Sequence, residues 1–328
     1  MNSFFIACQS QDVPESNSID LYLNFFKKSK DIYLEQPVYI DVGIKIKEIE
    51  KIESIVIFLP FICETRDIID LFDEVTEDKF LTVLYNSSIR NKLCDNIFCA
   101  FKFLNDREEF FFRIANYMEL VPKVKIHDSV MTKICIDLSR VVDDIKGSTL
   151  ASHFDNTANF RFRIIAKDIG GIIRKTKNNK FANILNPNEH TITQLLDFRF
   201  NYVRSLDVDL MSHLRCNKLE LVKFDKIRFS TIEPLECIID NFCSTYYKAR
   251  VLEDDIWNYY IGNSKEYIEN MISYSWDFFE EKAEKLQIMY RRSSKKINFV
   301  FVLLYICLTL FSGVIASYLA WIITQIQG

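Results

Sequence analysis

The segment from Ile297 to Gly328 contains no charged residue. A bilayer core about 30 Å thick is crossed by about 20 apolar helical residues, whereas a buried core helix rarely holds more than about 14 in a row. The stretch from Phe299 to Ile323 therefore predicts one transmembrane helix within a tail anchor over residues 297–328. A hairpin of two short spans around Ser312 and Gly313 is the alternative, but each half would be too short to cross.

The residues that flank this segment predict its orientation. Basic residues stand directly before it and aromatic residues stand near its far end: Arg291, Arg292, Lys295, Lys296, Tyr318 and Trp321. Lysine and arginine are enriched on cytoplasmic flanks, and tyrosine and tryptophan are enriched at the lipid–water interface. We therefore expect a single-pass membrane protein that contacts the bilayer through these flanks and keeps its N-terminal domain in the cytoplasm.

Small residues recur four apart inside the predicted span, as Ser312 with Ala316 and Gly313 with Ser317. Such spacing allows two membrane helices to approach closely. It predicts a homo-oligomer formed through the anchor and the segment before it. If that segment packs against its own domain instead, the case for self-association weakens.

Composition limits the partners of the remaining chain. The 41 basic and 45 acidic side chains give a net charge of −4, so nucleic-acid binding is not expected. The nine cysteines match no disulfide framework and fit a reducing compartment.

Alternating apolar and polar residues dominate the chain before residue 235. Val38 to Lys47 is the clearest case, because five aliphatic side chains fall on one face with period two. The other predicted strands are Ile55 to Leu59, Phe80 to Tyr85, a hairpin of Ile97 to Leu104 with Glu108 to Ile114, Val130 to Leu138, Phe160 to Ile164, Leu196 to Asn201, Lys218 to Val222 and Lys226 to Ile232. We predict a mainly β, antiparallel β-sandwich-like region over residues 1–235. A polar break near 143–159 leaves open whether it forms one domain or two.

The segment 236–296 is predicted to be a helical stalk between the β-rich region and the membrane. Its apolar residues recur at intervals of three and four: Ile268, Ile272, Phe279, Ala283, Leu286 and Tyr290. Ser264 is a suitable N-cap for such a helix.

Catalytic motifs are absent from the sequence. The local pairs His153 with Asp155, Glu189 with His190, and His213 with Cys216 match no known spacing, and no glycine-rich phosphate loop occurs. With four histidines in the chain, a metal site is not expected either. We predict no catalytic residues, no metal and no cofactor, and therefore a protein that is not an enzyme.

A basic segment after Gly170 and Gly171 is the best candidate for anion or ligand binding. The residues proposed for this role are Arg161, Arg163, Arg174, Lys175, Lys177 and Arg199. They would form one basic stripe if the two Phe-Arg-Phe strands were neighbours, and they would bind a phosphorylated ligand, an acidic partner or the anionic membrane leaflet. The alternatives are a solvated hairpin tip and pairing of the arginines with acids such as Asp197.

These features predict a membrane-anchored protein whose cytoplasmic domain binds a small-molecule ligand or a protein partner, as a sensor or scaffold. A second hypothesis is a membrane-perturbing effector that oligomerises on a signal, because this layout resembles that of effectors in prokaryotic antiviral defence. A third hypothesis is a membrane-tethered hydrolase.

Overall fold

The computed structural model describes most of the chain. The described residues are 3–10, 19–27, 37–85, 87–126, 129–148, 151, 154–167, 169, 172–176, 191–202, 208–241, 248–261, 270–279, 286–295 and 299–327.

Strands dominate the described residues. In chain order they are β1 Phe5–Ser10, β2 Ile19–Lys27, β3 Val38–Lys47, β4 Ile52–Leu59, β5 Ile68–Asp70, β6 Ile89–Cys94, β7 Phe98–Phe103, β8 Glu108–Phe112, β9 Met118–Ile126, β10 Ser129–Asp137, β11 Thr157–Ala166, β12 Ile173–Thr176, β13 Thr191–Phe200, β14 Glu220–Leu221, β15 Phe224–Pro234, β16 Ile238–Asn241, β17 Lys248–Val251, β18 Met271–Phe279 and β19 Leu286–Lys295. The helices are α1 Phe72–Val75, α2 Asp78–Tyr85, α3 Leu138–Gly147, α4 Val208–Cys216, α5 Asp254–Ile261 and α6 Phe299–Gln327.

Three sheets form a two-layered sandwich. One layer is a ten-stranded sheet with the order β17-β18-β15-β2-β3-β11-β8-β7-β6, in which β5 also pairs with β11. The other layer combines a five-stranded sheet, β14-β1-β4-β10-β9, with a four-stranded sheet, β12-β13-β19-β16. Backbone bonds between Phe4 and the end of β13 join these two smaller sheets.

The core between the layers explains why these segments became strands. Alternate residues of β3, including Ile40, Val42 and Ile44, are buried in a cluster that also holds Ile57 of β4 and Phe198 of β13. Successive side chains of a strand point to opposite faces, so a strand that buries one face has apolar residues at every second position. The alternation in the sequence therefore marks the residues that form the core. The predicted mainly β, sandwich-like class is confirmed. Most pairs are antiparallel, but β11 with β8 and β15 with β2 are parallel.

The outer face of the ten-stranded sheet is covered in part by short helices. Phe80 and Leu81 of α2 and Tyr260 of α5 pack there with Phe111 of β8 in a second buried cluster. The strand predicted over Phe80 to Tyr85 is therefore wrong, because these residues form α2. A short apolar run does not distinguish a strand from a buried helix.

The helical stalk predicted over 236–296 is wrong where the structure describes that segment. Only α5 is helical there, whereas Met271–Phe279 and Leu286–Lys295 are strands of two sheets. The same residues also alternate, since Ile288, Tyr290 and Arg292 are buried on one side of β19. The aromatic residues of β18, Tyr274, Trp276, Phe278 and Phe279, suit a strand better than a helix. The proposed N-cap Ser264 lies outside the described residues.

The predicted break near 143–159 does not separate two sheets. β11 begins at Thr157 and pairs along its whole length with β3, which precedes the break. The two Phe-Arg-Phe strands lie in different sheets, β11 in the ten-stranded sheet and β13 in the four-stranded one.

A disulfide joins Cys94 and Cys99 across the β6–β7 hairpin. The two residues are direct cross-strand partners with Cα atoms 4.1 Å apart. The cysteine spacing in the sequence indicates no disulfide framework, and hairpin register is what brings this pair together.

The C-terminal helix α6 contains a segment suited to crossing a membrane, as the sequence predicts. Leu303–Gln325 has a mean hydropathy of 2.1, and none of its most apolar window is buried inside the fold. Its length and composition suit the apolar interior of a membrane. The chain thus combines a β-rich domain with a single candidate membrane span.

Candidate ligand-binding cleft

A cleft of about 770 Å³ lies on the outer face of the ten-stranded sheet, beside α2 and α5. Its floor comes from β2, β3, β11, β15 and β18, and its side includes Phe80 and Tyr85 of α2 and Trp257 of α5. Six cationic side chains line it: Arg107, Arg161, Lys226, Arg228, Lys248 and Arg250. The volume and the mixed lining are typical of a small-molecule site.

Gly43 gives the floor of the cleft its depth. It lies in the middle of β3, opposite Tyr22 of β2 on one side and Arg161 of β11 on the other. A Cβ atom at Gly43 would lie 3.2 Å from the Cβ of Tyr22, so a larger side chain would both crowd Tyr22 and fill the floor. A glycine inside a strand weakens the strand and often marks a close approach by another molecule.

Arg161 is a buried cation at this floor that lacks an ion-pair partner among the described residues. Arg161 is 8% exposed, and its Nε donates a hydrogen bond to the Tyr260 hydroxyl at 3.1 Å. The adjacent carboxylate, Asp41, is occupied by Arg163, whose Nε and Nη2 donate to it at 2.6 and 3.1 Å. Asp41 thus pairs with Arg163 and not with Arg161, which leaves positive charge at the floor.

Arg161 keeps its charge despite burial. Burial lowers the pKa of Arg161, but Tyr260 and Asp41 raise it by more, so this pKa lies above the ordinary value for arginine. The surroundings of Arg161 therefore favour its charged form. Its remaining donors suit an anion that enters the cleft.

The rim carries further cations, which lie beside partly buried carboxylates. Asp277 accepts from both Nε and Nη2 of Arg228 at 2.7 Å and lies 3.6 Å from Lys226. Burial raises the pKa of Asp277, but Arg228 and Lys226 lower it by more, so Asp277 stays ionised at neutral pH. One carboxylate therefore serves two cations.

The same sharing occurs at the opposite rim. The side chain of Glu109 is fully buried and accepts from Lys45 at 2.8 Å and from Arg107 at 2.7 Å. Arg250 pairs with Glu253, and Lys248 is exposed on the edge strand β17. Among the described residues that line the cleft, six are cationic and one, Glu253, is acidic.

Aromatic side chains provide the apolar part of the lining. Trp257 packs edge-on against Phe80 and Tyr260 at 5.8 and 5.6 Å between ring centroids. Tyr85 lies under the guanidinium of Arg107, 4.8 Å from ring centroid to Cζ. Burial, together with the charges of Asp20 and Glu109, raises the pKa of Tyr22 to about 12, so its hydroxyl remains protonated.

The structure separates the residues predicted to form a basic stripe. Arg161 lines the cleft, whereas Arg163 is 3% exposed in its pair with Asp41. Arg199 lies in another sheet and pairs with Asp197 at 2.6 Å, the alternative that the sequence left open. Arg174 is exposed on β12, beside the backbone of Lys175. Lys177 lies outside the described residues, as do Gly170 and Gly171.

The predicted membrane flank also needs correction. Arg292 is 1% exposed and is paired with Glu233 in the core, so it does not face lipid headgroups. Arg291 is half-exposed and pairs with Asp240. Arg291 and Arg292 both lie in β19, which continues to Lys295. Lys296 lies outside the described residues.

Residues predicted inside the anchor all lie on α6. Tyr318 and Trp321 are 60% and 56% exposed and stack with centroids 5.9 Å apart. Ser312, Gly313, Ala316 and Ser317 are exposed on the same helix, free to meet a second helix. Self-association through them stays a prediction.

Sequence reasoning missed most of the cleft. Lys226 with Arg228 and Lys248 with Arg250 are cations two residues apart, which places each pair on one face of a strand. Gly43, a glycine inside a predicted strand, was the other feature of the sequence that pointed to the cleft. Neither the paired cations nor the glycine shows which strands are neighbours in the sheet.

Comparison of the chain with protein-family models and with curated proteins finds no match. Among solved structures, it is similar to the Fcho1 Mu homology domain of Danio rerio with bound Eps15 peptide, at 7% sequence identity over 88% of this chain and 82% of that chain. The TM-score of 0.17 is too low to carry an argument about fold or function.

Proposed function

We propose that this protein is a membrane-anchored binding protein whose β-rich domain holds an anionic ligand in the basic cleft. The observation that carries the proposal is Arg161, a buried cation at the cleft floor whose hydrogen-bond partner is the neutral Tyr260. Phosphate and carboxylate groups match the donor geometry of arginine. The surrounding aromatic side chains would pack against an organic part of the same ligand.

The proposal places the domain in the cytoplasm. Lys295 and Lys296 stand a few residues before α6, and basic residues next to a span favour the cytoplasmic side. In this position the anchor would keep the cleft at the inner membrane surface, as expected of a sensor or scaffold. The prediction that the protein is not an enzyme remains part of the proposal.

Replacing Arg161 with methionine tests the proposal. A lost charge-assisted hydrogen bond is worth about 1.5–3 kcal/mol, so we expect affinity for inorganic pyrophosphate to fall about 10- to 100-fold. Because Tyr260 and Asp41 favour the charged form of Arg161 by more than burial disfavours it, Arg161→Met should lower stability without ligand modestly. Isothermal titration and thermal unfolding of the full chain in detergent micelles measure both quantities.

Two further variants make this experiment specific. Gly43→Val fills the cleft floor without changing charge and should also weaken pyrophosphate binding. Arg90→Met is the matched control, since Arg90 pairs with Asp106 on the surface with a side chain 61% exposed. The proposal is wrong if pyrophosphate does not bind the unmodified protein, or if Arg161→Met and Arg90→Met bind it equally.

A further inference from the structure

Three large apolar side chains are exposed at one end of the fold: Leu235, Ile238 and Val251, at 53%, 54% and 59% exposure. We call them the end patch. Leu235 follows β15, and Ile238 begins β16 opposite Ser293 of β19. Val251 ends β17 opposite Ile272, which in turn pairs with Glu233 near the end of β15.

The end patch lies where the chain leaves the domain for the membrane. Glu233 is bonded to Arg292 at 2.9 Å, which ties the ends of β15 and β19 together. β19 ends at Lys295 and α6 begins at Phe299, so at most about 14 Å of extended chain separates them. A domain held on so short a connection must keep this end close to the lipid headgroups if α6 spans the bilayer.

The charged residues at this end have both signs, since the exposed Glu236 lies between Leu235 and Ile238 and basic residues lie on β12 and after β19. Ser293 of β19 is opposite Ile238 on one side and Thr193 of β13 on the other. Thr193 is in turn opposite Thr176, so the C-terminal end of β12 lies at the same level of the sheet as Ile238. Arg174 is exposed two residues earlier on β12, and Lys295 and Lys296 follow Ser293 in the chain. Each basic residue near an anionic leaflet adds attraction within a Debye length.

We infer that the end patch is a second membrane-contact surface, which seats the β-rich domain on anionic lipid beside the point where α6 enters the bilayer. Leu235, Ile238 and Val251 contact the boundary between headgroups and acyl chains, and Arg174 contacts the headgroups. This inference rests on α6 spanning a membrane and is independent of the ligand in the cleft. With this second contact, the β-rich domain would have a fixed orientation relative to the membrane.

Photocrosslinking of the full chain in vesicles tests the inference. The photoreactive residue p-benzoylphenylalanine is placed at Ile238 in one preparation and at Leu235 in another, and mass spectrometry identifies the adducts. We expect lipid adducts at both positions. Leu310, which is 67% exposed on α6, serves as the positive control for reconstitution.

Ile62 is the matched negative control, with a similar exposure of 49%. Its neighbour Phe61 contacts Phe4, and the backbone of Phe4 is bonded to Arg199 near the C-terminal end of β13. The other end of β13, Thr191, is opposite Lys295 and therefore lies near the membrane. Ten residues of β13 separate the two ends, a distance of about 30 Å. Ile62 should therefore give no lipid adduct.

The lipid composition and one charge reversal complete the test. Vesicles of phosphatidylcholine with phosphatidylglycerol should give more adduct at Ile238 than vesicles of phosphatidylcholine alone, and Arg174→Glu should remove that difference. Equal lipid adducts at Ile238 and Ile62 would overturn the inference. So would adducts at Ile238 formed mainly with a second copy of the chain.

Discussion

Replacing Arg292 with methionine is expected to lower the free energy of unfolding by about 3–5 kcal/mol, because it leaves a buried carboxylate without its partner. Arg292 and Glu233 are each 1% exposed, and Nη1 of Arg292 donates to both carboxylate oxygens at 2.9 Å. Gln194 accepts from Nε and Nη2 of the same arginine at 2.9 and 2.5 Å. Equilibrium unfolding in urea, followed by tryptophan fluorescence of the full chain in micelles, measures the loss.

The neighbouring arginine provides a matched control. Arg291 lies on the same strand and also pairs with a carboxylate, Asp240, but the two side chains are 47% and 43% exposed. Exposed pairs contribute up to about 1 kcal/mol, so Arg291→Met should be nearly neutral. The double variant Arg292→Met with Glu233→Gln should recover part of the loss, since it removes the uncompensated charge. Equal destabilisation by Arg292→Met and Arg291→Met would contradict the expected result.

The strands that face the core could be predicted from the sequence. β3 has the predicted bounds, Val38–Lys47, and β10 differs from its prediction by one residue at each end. Both strands bury alternate aliphatic residues against the opposite layer, and this burial is what produces period two. Where one face is buried and regular, local pattern and tertiary structure agree.

The secondary structure after residue 235 could not be predicted, because the spacing of its apolar residues fits both a helix and a strand. Ile272, Phe279 and Tyr290 satisfy a helical stripe, yet β18 and β19 extend the two layers of the sandwich. Pairing with β15 and β13 decides between the alternatives, and those partners are remote in the chain. Propensity yields to such long-range contacts.

The cleft was hidden for the same reason. Its lining runs from Tyr22 to Ser275 and is assembled by the register of five strands, so no local motif represents it. Arg161, one of the residues predicted to bind an anion, lines the cleft, but Arg163, two residues away on the same face, pairs with Asp41. Which of two similar arginines is available depends on the neighbouring strand.

Two lysines placed inside α6, Leu310→Lys with Val314→Lys, are expected to release the protein from membranes. Both positions are 67% exposed and lie near the middle of the span Leu303–Gln325. A lysine at the centre of a membrane helix costs about 2.5–3.5 kcal/mol on insertion scales, so two cost about 5–7 kcal/mol. Flotation and carbonate extraction of membranes measure the change.

The control for this variant must add the same charge outside the span. Val130→Lys with Ile62→Lys does so, because both side chains are exposed on the β-rich domain at 43% and 49%. That control should float with membranes like the unmodified protein. The end patch alone is too small to hold the domain, because lasting attachment needs far more buried apolar surface than three side chains provide. Flotation of the α6 variant at the level of this control would show that the β-rich domain, and not the helix, carries the membrane attachment.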